Sequence, residues 1–310
     1  MTEATLSATD VRVTFQRGLQ AVAGVSLSVT RGETVGVVGE SGSGKTTLAK
    51  AMIGLQGISE GKITLDGRDL GALAASDRLW LRRRAQMIFQ DPLSSLSPRF
   101  KIRSLLTEPL TIHGQDVQVN WPDVQRLLQR LGLSETVLPK YPHQVSGGQA
   151  RRIAIARALV VNPEFLVADE PTAGLDVSVQ GELLNLLGDL RRDRAIGILM
   201  VSHNLSVVGR VTDRVAVMYL GKIVEEGVTR QVFQHPRHPY TRALLSANPV
   251  VDRARRQAKI VLKGELPSPS NPPAGCRFHT RCPKAQPICS TVPPELDGDA
   301  SHRFSCHFPE

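Results

Sequence analysis

A glycine-rich segment near the N-terminus has the residue types and the spacing of a phosphate-binding loop. It reads Gly39-Glu-Ser-Gly-Ser-Gly44-Lys45-Thr46 and fits the P-loop pattern G-x-x-x-x-G-K-[ST]. The glycines let successive backbone N–H groups point at one anion, and the N-terminus of the following helix adds positive charge. Lys45 is expected to reach the β- and γ-phosphates of a nucleotide, Thr46 to bind Mg²⁺ and Thr47 to contact the α-phosphate. The predicted nucleotide-binding residues of this loop are Gly39, Glu40, Ser41, Gly42, Ser43, Gly44, Lys45, Thr46 and Thr47.

Two adjacent carboxylates end the apolar run FLVADE at residues 165–170. If this run is a strand of a parallel sheet, Asp169 and Glu170 lie at the edge where such sheets bind ligands. Asp169 is predicted to support the Mg²⁺ ion, and Glu170 to polarise a water molecule for attack on the γ-phosphate, because phosphoryl transfer needs a positioned nucleophile. A strand that ends in Asp-Glu is often only a helix cap. Its occurrence together with the P-loop favours catalysis.

A second candidate anion site lies between these two motifs. The segment Val145-Ser146-Gly147-Gly148-Gln149 opens the helical run ARRIAIARAL. A serine cap followed by two glycines is typical of a helix N-terminus that binds an anion, and two arginines follow closely. By itself the segment would be an ordinary helix cap.

The elements that must position these residues alternate between strands and helices. Residues 11–38 contain three strand patterns, VRVTF, VSLSV and ETVGVVG, and the helical run TTLAKAMIGL starts at Thr46. Residues 91–158 read as an inserted helical subdomain, and strand, helix and strand follow from FLVADE to AIGILMVSH, which predicts a parallel sheet. VAVMYLGKIVEEG is predicted to close the core as a hairpin.

Length and composition predict a soluble chain of two units. The 310 residues are 41% hydrophobic and 22% charged, and no apolar run approaches the ~20 residues of a membrane span. The first residues, MTEATLSATD, do not resemble a secretory signal, so a cytoplasmic location is expected. After about Gly227 the composition shifts through HPRHPY to the Pro/Ser/Gly-rich segment PSPSNPPAG, and the boundary between a predicted main domain at residues 1–240 and a tail at residues 241–310 is placed near residue 240.

The net charge of +9 could indicate nucleic acid, an anionic membrane surface or nucleotide phosphates. The basic residues occur in short clusters, such as Arg82-Arg83-Arg84, that are also typical of solvated helix faces. Aromatic residues make up only 4% of the chain and are not interleaved with the basic clusters as a base-stacking surface requires. Nucleic-acid binding is therefore disfavoured.

All four cysteines lie in the tail, at spacings of 5, 6 and 16 intervening residues. These spacings match no C-x₂-C zinc pattern. In a reducing compartment, thiolates favour an iron–sulfur site or zinc over disulfides. Tail histidines could replace a thiolate as a ligand, and four unliganded structural thiols are disfavoured because so short a tail has little core of its own. The cysteines in question are Cys276, Cys282, Cys289 and Cys306.

Six motifs in a fixed order resemble the ATP-binding subunits of ABC transporters. They are GESGSGKTT, Gln90 in MIFQDP, VSGGQ, FLVADEP, AGLD at 173–176 and His203 in MVSHNL. The resemblance covers roughly residues 11–230 and implies an α/β fold, a P-loop NTPase with a RecA-like core, an antiparallel β subdomain and the helical insert. It implies a hydrolysing enzyme, an ATPase that uses ATP and Mg²⁺.

The family resemblance also implies a dimer in which two such domains pair head to tail. Each ATP then lies between the P-loop of one domain and the signature segment of the other, while Asp176 lines the dimer seam. In this sequence the signature begins with Val145 where Leu is usual, but the residues expected to meet phosphate are intact. Those residues, which would serve the partner's ATP, are Ser146, Gly147, Gly148 and Gln149.

The resemblance assigns roles to three further side chains. Gln90 would sense the γ-phosphate and the Mg²⁺ ion and report their state to membrane subunits. His203 would hold the γ-phosphate and the attacking water, and Phe15 would stack on adenine, although many relatives use Tyr there. The metal ion would then be bound through Thr46, Gln90 and Asp169.

Further segments narrow the resemblance to oligopeptide and dipeptide importer ATPases. They include DPLSSLSPRF at 91–100, HPYTRALLSANP at 238–249 and the ending GELPSPSNPPAGCRFHTRCPKA. The family implies a second, often non-identical ATPase subunit, two transmembrane permeases, an extracytoplasmic substrate-binding protein and a peripheral position on the cytoplasmic face of the membrane. In several members the equivalent cysteines hold a [4Fe-4S] cluster, so the resemblance assigns that role to Cys276, Cys282, Cys289 and Cys306, with Zn²⁺ as the alternative.

Other functions remain open on the sequence. Relatives with similar tails import nickel chelates, glutathione or other small solutes. A soluble ABC ATPase of translation or repair would fit the positive charge, but such proteins usually carry two ATPase halves or a long coiled-coil insert. A third hypothesis is a redox sensor in which the tail cluster is the function and ATP is secondary.

Overall fold

The computed structural model describes residues 4–91, 93–175, 177–247, 260–262, 264–299 and 301–310. The chain divides into two compact units. The first comprises Met1–Val29, Thr34–Gly71 and Leu199–Glu310, and the second comprises Thr30–Glu33 and Ala72–Ile198. The tail thus groups with the P-loop segment. That residues 241–310 form a domain of their own stays a prediction.

Strands form two sheets in the described residues. Their bounds are β1 (Thr5–Thr14), β2 (Gln20–Thr30), β3 (Thr34–Val38), β4 (Glu60–Leu65), β5 (Arg68–Asp69), β6 (Ala85–Ile88), β7 (Phe165–Asp169), β8 (Gly197–Val201), β9 (Arg214–Tyr219), β10 (Lys222–Val228), β11 (Asp297–Asp299) and β12 (His302–Phe304).

Helices connect these strands. Their bounds are α1 (Lys45–Met52), α2 (Arg78–Arg84), α3 (Ile102–Ile112), α4 (Val117–Arg130), α5 (Gly147–Leu159), α6 (Val177–Arg194), α7 (Leu205–Val211), α8 (Thr229–Gln234), α9 (Pro239–Ser246) and α10 (Pro287–Thr291). In the part of the chain that the structure describes, none of them combines the length and the apolar character needed to span a bilayer.

The first unit contains the smaller, antiparallel sheet, with the strand order β2-β1-β4-β5. Buried residues alternate along β1, where Leu6 and Ala8 are buried before the register shifts between Thr9 and Arg12. Such alternation is what a sheet with one covered face requires. The antiparallel β subdomain predicted from VRVTF and VSLSV is thus confirmed.

The first unit also contains the P-loop strand and its neighbours. Strand β3 pairs in parallel with β9, and β9 pairs antiparallel with β10, which confirms the predicted hairpin. All five residues of β3 are buried, as expected for a parallel strand covered on both faces. The tail adds β12, which pairs antiparallel with β10, and β11 pairs with β12. The sequence did not predict that the tail would extend this sheet.

The second unit holds the catalytic-strand candidate and the predicted helical segment. Strands β6 and β7 pair in parallel, from Ala85 opposite Phe165 to Ile88 opposite Ala168. Helices α3 and α4 lie within residues 91–158, where helical patterns were expected, and α5 ends one residue beyond that range; α3 and α5 pack together. The Asp116 carboxylate accepts hydrogen bonds from two backbone N–H groups at the start of α4, which fixes where that helix begins.

The tail shares an apolar core with the first unit. Phe278 is fully buried in one cluster with Tyr219, Tyr240 and residues of β9 and β10. The ring centroids of Phe278 and Tyr219 lie 5.2 Å apart, and those of Phe278 and Tyr240 lie 5.4 Å apart. Unliganded thiols were disfavoured on the sequence because so short a tail has little core of its own. Packing against the rest of the first unit provides a core, so this argument against unliganded thiols no longer holds.

Candidate nucleotide-binding site

The P-loop lies between β3 and α1, as the sequence predicted. Gly39 has a φ of 153° and Gly44 a φ of 100°, conformations that other residues rarely adopt. A Cβ atom at Gly39 would lie 2.1 Å from the Met218 carbonyl oxygen, and one at Gly44 would lie 2.0 Å from that of Ala21. Glycine is therefore required at both positions by conformation and by space.

Lys45 is buried inside the loop. Its Nζ donates hydrogen bonds to the carbonyl oxygens of Gly39 at 2.9 Å and Glu40 at 2.8 Å, and to Ser43 Oγ at 3.3 Å. These three acceptors hold the ammonium group of Lys45 inside the phosphate-binding loop, where a triphosphate can meet it.

The start of α1 fits a bound phosphate as well. Gly44, the N-cap residue, precedes the helix in a left-handed conformation and makes no side-chain cap hydrogen bond. Backbone N–H groups at a helix N-terminus form an anion site with a favourable dipole. Thr46 and Thr47, in the first turn, are partly exposed. The loop, the lysine and the helix end together fit a Mg²⁺-nucleotide.

In the second unit, Gln90 and Glu170 are brought together. Strands β6 and β7 run in parallel, so the residues that follow them share one edge, and Gln90 Nε2 donates a hydrogen bond to Glu170 Oε2 at 3.0 Å. Asp169 is buried at the end of β7. Glu170 has a φ of 47°, an uncommon conformation for a residue that is not glycine, and such conformations are concentrated at functional sites.

The signature segment forms a capped helix end. Ser146 Oγ accepts a hydrogen bond from the Gln149 backbone N–H, and Gln149 Oε1 accepts one from the Ser146 backbone N–H. This capping box fixes the first turn of α5. A Cβ atom at Gly147 or Gly148 would meet nothing within 4 Å, so packing within the chain does not explain these two glycines. They leave open space in front of the helix end.

An arginine of α5 connects the signature helix with the catalytic strand. Arg151 Nη1 donates a hydrogen bond to the Pro171 carbonyl oxygen at 2.9 Å, directly after Glu170. Burial lowers the pKa of Arg151, and the nearby Asp91 carboxylate raises it. Sequence analysis had placed this residue near the second anion site without assigning it a contact.

Three further residues were predicted from the family resemblance, namely His203, Phe15 and Asp176. His203 is exposed after β8, and Phe15 is exposed at the end of β1, with a relative exposure of 41%. An exposed strand-end aromatic is consistent with a stacking role and does not fit a core role. Asp176, predicted at the dimer seam, lies outside the described residues.

Glu40, the second residue of the P-loop, is held by partners that sequence reasoning missed. Its backbone N–H donates to Tyr240 Oη at 2.8 Å, and its carboxylate accepts two hydrogen bonds from Arg281. The only sequence signals were an acidic residue inside an anion-binding loop and an arginine next to a cysteine.

The four cysteines are reduced and near one another in the tail. Burial raises the pKa of Cys276 and Cys282, and it raises the pKa of Cys306 to about 11; the charges of neighbouring thiols add to each shift. The Cys276 backbone N–H donates to the Cys289 carbonyl oxygen at 2.8 Å. Among the residues described, however, no group of three or more His, Cys, Asp or Glu side chains is arranged to hold a metal ion.

Three features define an ATPase of the ATP-binding cassette class. They are a P-loop whose carbonyl oxygens hold a lysine, a strand that ends in Asp-Glu, and a capped helix that begins with two glycines. Comparison with known proteins agrees. The family model "ABC transporter" matches residues 22–173, and the model "Oligopeptide/dipeptide transporter, C-terminal region" matches residues 224–289.

Full-length relatives are closely similar. The oligopeptide transport ATP-binding protein AppF of Bacillus subtilis is 47% identical over 301 residues, which cover 94% of this chain and 92% of the relative. The corresponding OppF of Salmonella typhimurium is 47% identical over 93% of this chain and 87% of its own length. The chain therefore belongs to the ATP-binding subunits of the oligopeptide/dipeptide ABC transporter family, and it binds and hydrolyses ATP with Mg²⁺.

Solved structures share the fold. The cbiO1 subunit from Clostridium perfringens, described as part of the ABC transporter complex cbiONQ, superimposes with a TM-score of 0.68 at 28% identity, covering 75% of this chain and 91% of that one. The dimeric cassette MJ0796 has a TM-score of 0.67 at 28% identity, with coverage of 73% and 99%. The predicted α/β P-loop NTPase fold is confirmed.

Proposed function

We propose that this chain is the ATP-hydrolysing subunit of an importer of dipeptides and oligopeptides. The observation that carries the proposal is the similarity to oligopeptide transport ATP-binding proteins over nearly the whole chain, together with the match of the C-terminal region model to residues 224–289, which include part of the tail. The tail lies outside the ATPase motifs, so this region separates the peptide branch from ABC ATPases in general.

In the P-loop, each side chain has a proposed part in binding ATP. Lys45, kept in place by the carbonyls of Gly39 and Glu40, contacts the β- and γ-phosphates. Thr46 binds the metal ion and Thr47 contacts the α-phosphate. Bound Mg²⁺ neutralises the charge that develops on the transferred phosphoryl group. Phe15 stacks on the adenine ring.

Hydrolysis then depends on the residues that follow β7 and β8. Glu170 orients and polarises the attacking water, and the hydrogen bond from Gln90 holds one of its two carboxylate oxygens. Asp169 and Gln90 complete the Mg²⁺ shell with Thr46. His203 holds the γ-phosphate. Because Gln90 touches the catalytic carboxylate, a change in its position alters both the metal site and the base.

We further propose that the chain works as a dimer with a second, non-identical ATPase subunit. The open space at Gly147 and Gly148 supports this arrangement, since a nucleotide bound by the partner's P-loop can approach the start of α5 without a steric clash. Asp176 lines the seam. The residues proposed to serve the partner's ATP are Ser146, Gly147, Gly148 and Gln149.

The remaining partners follow from a role in import. Two transmembrane permeases receive substrate from an extracytoplasmic binding protein, and the chain docks on them from the cytoplasmic face as a peripheral subunit. The test is reconstitution of the complete complex in proteoliposomes with the binding protein. Peptides are expected to stimulate ATP turnover and to be taken up; stimulation by a nickel chelate or by glutathione alone would contradict peptide import. Recovery of the chain without permeases would favour a soluble ATPase.

We also propose that the tail at residues 241–310 holds a [4Fe-4S] cluster through Cys276, Cys282, Cys289 and Cys306. The electrostatic influence of Cys276, Cys282 and Cys289 on the buried Cys306 thiol, whose pKa they help to raise, supports it, because an iron–sulfur cluster is held by neighbouring thiolates. The described side-chain positions do not by themselves form a metal group. Anaerobic purification should give four irons and four sulfides per chain, and Cys282→Ser should lose them. Bound zinc, or absence of any metal, would overturn the proposal.

A further inference from the structure

The cysteine-containing tail reaches into the P-loop through one arginine. Arg281 Nη1 lies 2.7 Å from Glu40 Oε2, and Arg281 Nη2 lies 3.2 Å from Glu40 Oε1. The two terminal nitrogens of the guanidinium therefore each donate a hydrogen bond to a different oxygen of one carboxylate. The arginine side chain is only 9% exposed and the glutamate side chain 28% exposed, so solvent screens this pair less than it would a surface pair.

The surroundings fix Arg281 in position. It closes a short helical turn, His279–Arg281, that follows the buried ring of Phe278. The Tyr219 ring lies beneath the guanidinium, with 6.0 Å between the guanidinium carbon and the ring centroid. A second tail arginine, Arg277, donates to the Leu220 carbonyl oxygen and to Gln20 Oε1. The contacts of Arg277 and Arg281 thus hold this turn against the rest of the first unit.

The ion pair is linked directly to the residue proposed to bind phosphate. The Glu40 carbonyl oxygen accepts a hydrogen bond from Lys45 Nζ, and the Glu40 backbone N–H donates to Tyr240 Oη. Displacement of Glu40 would therefore move one of the acceptors that hold Lys45. A charged guanidinium with two parallel hydrogen bonds is among the stronger ways to fix a carboxylate.

Electrostatics give the pair a second role. Glu40 places a negative charge within the loop that receives a triphosphate, and like charges repel strongly where screening is weak. Arg281 neutralises this carboxylate. Without the guanidinium, the same loop would present an unpaired anion next to the phosphates.

We propose that Arg281 is a positioning residue for ATP binding: by pairing with Glu40, it keeps the P-loop in the shape that holds Lys45 and removes a charge that would repel the nucleotide. This inference rests on the proposed role of Lys45. It makes the tail part of the nucleotide site.

The test is the equilibrium binding of Mg²⁺-ATP to the purified full-length chain, measured by calorimetry. Arg281→Gln is expected to weaken ATP binding by about tenfold, equal to about 1.4 kcal/mol. The double variant Arg281→Gln with Glu40→Gln removes the unpaired charge and is expected to return to within about threefold of the native affinity. Arg281→Lys keeps the charge but not the paired geometry and should fall between them.

Arg303→Gln is the matched control. It makes the same change of charge in the same tail and breaks the ion pair between Arg303 and the buried Glu226 in β10, far along the chain from the P-loop. It should lower the unfolding temperature without weakening ATP binding. This comparison separates a loss of tail stability from a loss of loop positioning.

The outcomes distinguish this inference from the proposed function. Native ATP affinity in Arg281→Gln would overturn the role of Arg281 while leaving the P-loop assignment intact, and a double variant no better than the single one would overturn the part of that role that depends on charge. Lys45→Ala tests that assignment separately. If Lys45→Ala binds ATP normally, the P-loop role and the inference from it are both wrong.

Discussion

At the scale of single residues, the conformation of the P-loop depends on two glycines that have no Cβ atom. The buried Lys45 ammonium donates to the carbonyl oxygens of Gly39 and Glu40, and the loop can adopt this shape only because Gly39 and Gly44 carry no Cβ. Glu170 also has an uncommon backbone conformation, since it is left-handed at the end of a buried strand. In both cases the backbone is shaped by what the site must bind.

Gly44→Ala should therefore destabilise the protein and remove ATP binding. The new Cβ would lie 2.0 Å from the Ala21 carbonyl oxygen, and relief of such a clash costs about 1–3 kcal/mol beyond the left-handed strain. Gly42→Ala is the control, because it has a φ of 79° but nothing within 4 Å of its Cβ. Thermal unfolding of both variants measures the difference. Equal unfolding temperatures would contradict the steric explanation.

At the scale of elements, two helix ends predicted to bind anions begin differently. Helix α1 begins without a side-chain cap, whereas α5 begins with the capping box of Ser146 and Gln149. Local patterns predicted both ends, because caps, glycines and strand ends are encoded within a few neighbouring residues. Local patterns also predicted strand β7, whereas the parallel strand β6 beside it was not predicted. The hydrogen bond between Gln90 and Glu170 depends on the pairing of those strands and was not predictable from either segment alone.

Gly147→Ala tests the signature helix. Alanine meets no atom within 4 Å and suits a helix better by up to about 1 kcal/mol, so stability should be unchanged or higher. Its methyl group would occupy the space proposed for the partner's ATP, so turnover of the assembled transporter should fall at least about tenfold.

Ser146→Ala, by contrast, should lose about 1 kcal/mol of stability together with the cap. Thermal unfolding and ATP turnover, measured on both variants, distinguish a packing role from a ligand role. Native turnover in Gly147→Ala would exclude a ligand at this helix end.

Helix α9 contains a buried histidine that should make stability depend on pH. His238 caps this helix through Nδ1, which accepts the Tyr240 backbone N–H at 3.1 Å, and burial lowers its pKa from 6.5 to about 3. The unfolded chain then takes up a proton near pH 6.5, whereas the folded chain does not until about pH 3. Stability should thus fall as pH falls through 6.5, by about 2 kcal/mol between pH 7 and pH 5.

His238→Asn retains a capping side chain but cannot titrate in this range. Denaturant unfolding at the two pH values should give a difference in stability about 2 kcal/mol smaller in this variant than in the native chain. An identical pH dependence in both proteins would show that His238 is not the group responsible.

At the scale of the whole molecule, the tail and the P-loop segment belong to one compact unit. The sequence predicted the ATPase core in detail because its motifs are local. It did not predict that Phe278 would complete a core with Tyr219 and Tyr240, or that Arg281 would pair with Glu40, because these contacts join distant parts of the chain and leave no periodic pattern. The short strand β12 was not predicted either, because three residues carry too little pattern to indicate a strand.

The most direct test of ATP hydrolysis at this site is the turnover of Glu170→Gln in the assembled complex. Glutamine keeps the size of the side chain but cannot accept a proton, so turnover should fall by at least about 10² while ATP binding is retained and the closed dimer accumulates. Undiminished hydrolysis in this variant would remove Glu170 from catalysis and contradict the account.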